Sequence, residues 1–236
     1  MEKQNQIYEG KAKKVYATDD PDLLIVSYKD DATAFNGQKK GQIAEKGVVN
    51  NIMSNIIFKI IGDAGVPTHL VKQLSDRETL VKNVQILPLE VIIRNVAAGS
   101  FSSRYGVEEG RALAKTILEF SYKNDELGDP LINDDHILAL ELATEEQLDQ
   151  VRTYAYKVNE IMKQFFLERG LKLIDFKIEF GLHKGEVILA DEISPDTCRL
   201  WDVNTNEKMD KDRFRRDLGN VEETYQAVLA LVKGGN

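Results

Sequence analysis

The stretch Leu171-Lys172-Leu173-Ile174-Asp175-Phe176-Lys177-Ile178-Glu179-Phe180 decides how the rest of this chain is read. Successive side chains of a strand point to opposite faces. Strict alternation puts Ile174, Phe176, Ile178 and Phe180 on one face and Asp175, Lys177 and Glu179 on the other. After a Leu182-His183-Lys184-Gly185 turn, residues 186–193 read as a returning strand that carries Asp191 and Glu192. If this hairpin pairs Lys177 with Asp191, Glu179 and Asp191 become diagonal neighbours about 7–8 Å apart, close enough for a Mg2+ between their carboxylates. A slip of one residue would undo that arrangement.

The ordinary reading of such a strand is a half-exposed face whose charges meet water and pair across strands. Against it, the same alternation places Leu171, Leu173, Val187, Leu189 and Ile193 on the charged face, which makes that face partly buried. Unpaired ions there cost several kcal/mol, so a metal-nucleotide site is the preferred reading. Downstream, Ser194-Pro195-Asp196-Thr197-Cys198-Arg199-Leu200-Trp201-Asp202 is a turn that offers Arg199 beside the acids, or a surface salt bridge. Upstream, Arg94 closes an apolar strand and runs into Ala97-Ala98-Gly99-Ser100, which suits a phosphate clamp or close helix packing. Tyr8-Glu9-Gly10-Lys11-Ala12-Lys13-Lys14-Val15-Tyr16 is a Gly-containing turn with three lysines, suited to polyphosphate or merely solvated, and it has no Walker or G-x-G-x-x-G pattern.

Around these segments, residues 7–28 read as short strands with a turn at Asp19-Asp20-Pro21-Asp22. Val49, Ile52, Met53, Ile56, Ile57, Ile60 and Ile61 recur at helical spacing across 42–61, and strands are expected near 69–74, 79–86 and 89–96. Thr144 with Gln147 is a capping box that opens a long helix running to Gly170, and Asn220 with Glu223 suggests another before a final helix. Strands first and mixed elements later, without regular βαβ alternation, give an α+β fold with a soft boundary near 83–88.

The chain has 236 residues, enough for one large or two small domains with a real core. Its 31 basic and 39 acidic side chains leave a net charge of −8, which argues against broad binding to nucleic acid or an anionic membrane. The single Cys198 excludes an intrachain disulfide or a multi-cysteine zinc site, and His69, His136 and His183 lack metal-ligand spacing. The opening MEKQNQ has no apolar run and no stretch approaches eighteen apolar residues, so neither a signal peptide nor a membrane span is expected and cytoplasm is the default location.

Six segments in one order, YEGKAKKVY (8–16), KGVVNN (46–51), PLEVIIRNVAAGS (88–100), LIDFKIEFG (173–181), DEISPDTCRLWD (191–202) and KMDKDRFRRDLG (208–219), resemble the SAICAR synthetase family, the phosphoribosylaminoimidazole-succinocarboxamide synthases of purine biosynthesis. The resemblance spans essentially the whole chain. It implies an α+β fold related to ATP-grasp enzymes, with a β-rich nucleotide-covering part over 1–85, a larger part over 86–236, and ATP in the cleft between them. It also implies that carboxyaminoimidazole ribonucleotide (CAIR) is joined through its carboxylate to the amine of L-aspartate, with ATP converted to ADP and phosphate through an acyl phosphate.

By matching motif, the catalytic set would be Lys177, Asp175 and Lys13. Lys11, Lys13 and Lys123 would approach the ATP phosphates; Val15, Leu24, Lys82 and Ile86 would enclose adenine; Glu179 and Asp191 would hold Mg2+. Arg94, Ser100 and Arg199 would bind the ribonucleotide phosphate with Asp196 and Glu90 nearby, and Lys211 and Arg215 would be mobile cations closing over the anionic intermediate. Asn36 stands where relatives can carry an acid, and Cys198 reads as a small loop side chain rather than a nucleophile. A homodimer is the expected assembly. A small-molecule kinase and a nucleotide-sensing module are the competing functions, separated from a ligase by whether an amide product forms.

Overall fold

The computed structural model describes residues 2–34 and 37–234, so Asn36 lies outside the described residues. The chain opens with β1 (Lys3–Glu9), β2 (Lys13–Thr18), β3 (Leu23–Tyr28), β4 (Asp31–Ala34) and β5 (Lys39–Gln42), followed by α1 (Lys46–Asp63), β6 (Leu70–Gln73) and β7 (Glu78–Lys82). Five of these strands form an antiparallel sheet in the order β1-β2-β3-β7-β6, while β4 pairs with β5 alone.

A second sheet begins at β8 (Gln85–Ile86) and β9 (Leu89–Val96). Then come α2 (Gly99–Tyr105), β10 (Ala112–Tyr122), a 3-10 turn at Asp125–Leu127, β11 (Leu131–Ile132), α3 (Asp134–Ala139) and α4 (Glu145–Leu167). The chain continues through β12 (Leu171–His183), β13 (Glu186–Ala190), β14 (Cys198–Asp202), α5 (Asp212–Arg215) and α6 (Val221–Val232). The order is β11-β10-β9-β12-β13, and β8 and β14 also pair with β12. The opening stretch is thus the hub of the larger sheet.

One face of this sheet is core. Leu89, Val91 and Ile93 from β9 and Phe176, Ile178 and Phe180 from β12 pack against Met53, Ile57 and Ile61 of α1 and Val151, Ala155, Val158 and Met162 of α4. Helix α1 therefore belongs to the core of the second sheet although it lies in the first third of the chain. Helix α4 starts as expected: the Thr144 hydroxyl accepts from the Gln147 N–H at 3.3 Å and the Gln147 side chain accepts from the Thr144 N–H at 2.9 Å, an arrangement worth about 1 kcal/mol. Helix α6 does not. Asn220 has φ +51 and its side chain caps nothing, so the expected box is absent.

Three further expectations are corrected on β12. Against β14, Leu173 faces Leu200 but Asp175 faces Arg199, so Ile174 is the extra residue of a bulge. The bulge reverses the alternation. Leu171 and Leu173 join Phe176, Ile178 and Phe180 in the core, whereas Ile174 crosses to a small cluster with Val96, Ala98 and Trp201. Val187, Leu189 and Ile193 are also core residues, so they do not line the face of Asp175, Lys177 and Glu179.

The hairpin register is shifted as well. The turn at Lys184 and Gly185, both at positive φ, pairs Glu179 with Ala190 and Phe180 with Leu189, one residue away from the pairing of Lys177 with Asp191. That slip alone would send the Asp191 side chain to the core. Asp191 escapes because it leaves the strand at φ +64, a left-handed conformation that Asp tolerates better than most residues.

Candidate functional site

Asp175 is flanked directly by arginines on both neighbouring strands, since it faces Arg94 on β9 and Arg199 on β14. Arg94 donates from Nη1 to Asp175 at 2.9 Å, from Nε to Glu119 at 2.7 Å and from Nη2 to the Ser100 hydroxyl at 3.2 Å. Arg199 donates from Nη1 to both Asp175 oxygens at 3.0 and 3.1 Å and from Nε to Asp212 at 2.8 Å. Asp175 is 3% exposed, and burial pushes its carboxyl above the usual range against the pull of Arg199 and Arg94. The Arg199 guanidinium lies over Gly99, where a Cβ would overlap it, so the small residues ahead of α2 admit this arginine.

Further along β12 the chemistry changes from guanidinium to ammonium. Lys177 pairs with Glu90, Lys123 with Glu179, and Lys13, reaching across from β2, with Asp191 and at 3.1 Å with Glu192. Glu192 also accepts from Ser194 at 2.7 Å and Asn50 at 3.3 Å. The two central carboxyls are driven apart. Burial and the nearby Asp191 charge push Glu179 up, while at Asp191 burial is outweighed by Lys13 and Lys177, which hold it down at about 2. Burial also opposes the Lys177 charge, but Glu90, Glu179 and Asp191 prevail and keep it protonated far above neutrality. His69 sits beside this group, buried against Phe58 at 4.9 Å, and burial reinforced by Lys13 depresses its pKa to about 3, so it is neutral.

Other expected site residues are distributed around these two ends. Val15 and Leu24 pack on Val26, Tyr28 and Val81 in the first sheet, with Lys82 next along β7, while Ile86 is exposed and pairs with Gly181. Lys11 does not join Lys13: it points outward to Asp125 at 2.7 Å. Asp196 is paired with neither arginine among the described residues; it accepts from Lys46 at 2.8 Å, Lys211 at 3.1 Å and Tyr225 at 2.7 Å. Lys211 and Arg215, expected as mobile cations, are both held in ion pairs, Arg215 by Asp212 at 2.6 Å. Cys198 lies in the core with its thiol pushed up by burial, which suits an inert side chain.

Lys46, Glu119 and Asp212 carry no role in the sequence pattern, and Glu192 is marked there only as an acid on the returning strand. A usable signal existed for the first: Lys46, Asn50, Asn51, Ser54 and Asn55 make a polar stripe along an otherwise apolar helix, and all five are buried. Among the described residues no three His, Cys, Asp or Glu side chains gather into an all-protein metal cage. Glu179 and Asp191, two hard carboxylates under mutual repulsion, are of the chemistry that would hold a Mg2+.

A sheet face that carries an arginine-lined end and a carboxylate–lysine end on one strand defines an anion-handling α+β protein. Known proteins agree. A family model described as SAICAR synthetase matches residues 6–232. The chain is 65% identical over 228 residues, 97% of each sequence, to the phosphoribosylaminoimidazole-succinocarboxamide synthase of Lachnoclostridium phytofermentans. Its fold is similar to the crystal structure of that synthase from Ehrlichia chaffeensis, with TM-score 0.95, 47% identity and coverage of 97% of this chain and 98% of the other. It is also similar to a SAICAR synthetase (Type-2) in complex with ADP, with TM-score 0.94, 44% identity and coverage of 97% and 98%. The chain belongs to the SAICAR synthetase family.

Proposed function

We propose that the face of β12 is where this enzyme, an ATP-dependent ligase of purine biosynthesis, joins the carboxylate of CAIR to the amine of L-aspartate. The observation that carries the assignment is the separation of the two ends. Asp175 and Glu179 are four residues apart, about 13 Å along an extended strand, which lets a nucleoside monophosphate lie between an arginine clamp and a lysine-carboxylate cluster.

The ribonucleotide phosphate binds Arg94, Ser100 and Arg199, whose forks Asp175 holds in place. Its carboxylate then meets Lys177 near Glu90, and the ATP phosphates meet Lys13 and Lys123, with Lys11 at the outer rim. Glu179 and Asp191 hold Mg2+, which supplies charge neutralisation for the phosphate oxygens when bound. Val15, Leu24, Lys82 and Ile86 enclose the adenine. Lys177 offsets the negative charge that builds up as a carboxylate oxygen takes the γ-phosphoryl group and ADP leaves. The aspartate nitrogen attacks the resulting acyl phosphate carbon, loses a proton and expels phosphate, and Asp196, Lys211 and Arg215 border that anionic space.

The two-part division at residue 85, the homodimer and the cytoplasmic location accompany this reading; sedimentation tests the dimer. No helix among the described residues is long and apolar enough to cross a membrane. The decisive experiment measures ADP release in Mg2+ buffer with CAIR and L-aspartate, omitting each in turn and recording the product mass. ADP release that needs both, with a succinocarboxamide product, is expected. Phosphorylated ribonucleotide indifferent to aspartate would make the site a kinase, and absence of ADP in every mixture would make it a binding module.

A further inference from the structure

Asp212 is 1% exposed, lies outside the strand that carries the site, and belongs to the four-residue helix α5. It nonetheless touches the arginine clamp. Its Oδ2 accepts from Arg199 Nε at 2.8 Å and its Oδ1 from Arg215 Nη1 at 2.6 Å. The backbone holds it there: Asp210 accepts from the Leu200 N–H at 2.9 Å with one oxygen and from the Asp212 N–H at 2.7 Å with the other. A closed circuit therefore runs from β14 through Asp210 and Asp212 back to Arg199 on β14.

Of the three nitrogens of Arg199, Nη1 is taken by Asp175 and Nε by Asp212, which leaves Nη2 without a hydrogen-bond partner among the described residues. That nitrogen lies over Gly99, next to Ser100. Asp175 alone would leave the guanidinium free to roll about its own Nη1 contact. A second acid at Nε fixes the plane.

Resting on the placement of the ribonucleotide phosphate given above, we infer that Asp212 is a positioning residue for substrate binding, setting the roll of the Arg199 guanidinium so that Nη2 faces the phosphate. Asp212 does not touch the substrate. Its contribution passes through Arg199, and preorganising a fork that would otherwise sample several orientations shows as affinity rather than as chemistry. Burial disfavours its charge, but Arg199 and Arg215 outweigh burial and hold the carboxyl at about 2, so the grip persists across the working pH range.

The test is a double-mutant cycle on the KM for CAIR, with Asp212→Ala, Arg199→Ala and both together. Asp212→Ala alone should raise that KM about tenfold, with kcat within twofold and the KM for ATP unchanged. In the Arg199→Ala background the same change should have no further effect, which a merely structural role would not produce. The isosteric Asp212→Asn keeps one acceptor oxygen and should fall between the two; it serves if the alanine variant folds poorly. An unchanged KM in Asp212→Ala and Asp212→Asn, or an equal rise with and without Arg199, overturns the inference. If Arg199→Ala itself leaves the KM for CAIR untouched, the phosphate placement fails first and the inference falls with it.

Discussion

The two ends of the β12 face solve the same problem, many buried charges in a small space, with different cations. At Asp175 the partners are arginines, each spending two edges of a planar fork on acids at 2.7–3.1 Å. At Glu179 and Asp191 the partners are lysines, each a point charge on a flexible stem. An ammonium can exchange one anion for another without losing geometry, whereas a fork is useful only when its plane is fixed. On the proposed roles, the lysine end thus suits charges that arrive and leave during turnover, and the arginine end a group that stays put.

The sharpest way to break this contrast is to disable the lysine end. Given those roles, Lys177→Ala and Asp191→Asn should each lower kcat by about 10²–10³-fold with the far-UV spectrum unchanged, since the first removes the cation that offsets the building negative charge and the second an anionic ligand that would hold Mg2+. Steady-state rates checked beside circular dichroism decide it, and a rate within tenfold of the parent would take that residue out of the chemistry. The arginine end should respond differently. Arg199→Lys keeps the charge and loses the fork, so the KM for CAIR should rise about 10- to 100-fold with kcat nearly retained. A kcat effect as large as that of Lys177→Ala would erase the distinction between the ends.

Much of the local structure was legible in the sequence because it depends on neighbours. The Thr144 box and the Lys184-Gly185 turn each need only a few residues, and both are present. What failed depended on an assumption of unbroken period. One extra residue at Ile174 reversed the face of everything before it, and nothing in LKLIDF marks that position, since either parity offers apolar residues to the core. Asp191 reached the right place by a route that pairing arithmetic excludes, because its positive φ compensated a register that was off by one. Lys46 and Asp212 were missed for a third reason: their partners Asp196 and Arg199 come from other elements, and even the polar stripe that marks Lys46 does not name its partner.

A smaller effect distinguishes the ends by pH. His69 borders the lysine end, and its pKa of about 3 lies below the ordinary 6.5. A base held below its unfolded value takes up its proton only on unfolding, so it subtracts stability as pH falls from about 6.5 toward 3. At pH 5 the cost is about 2 kcal/mol. His69→Gln removes it, so the stability difference between variant and parent should move in the variant's favour by about that amount between pH 7.5 and pH 5, read from urea unfolding at the two pH values. Parallel curves would mean that the imidazole is reached by solvent in the folded protein.

The smallest expected effect separates two lysines of one turn. Lys11 and Lys13 are two residues apart, but Lys13 is half-buried between Asp191 and Glu192 while the Lys11 side chain is 50% exposed and its partner Asp125 is 70% exposed. An exposed pair of this kind is screened by water and salt and contributes at most about 1 kcal/mol to stability. Lys11→Ala should therefore leave Tm unchanged and raise the KM for ATP less than about threefold, an effect that disappears at high salt because only long-range attraction is lost. Were the KM to rise tenfold and stay raised in salt, Lys11 would have to leave Asp125 and contact the phosphates directly when ATP binds, and the lysine end would extend to the rim of the first sheet.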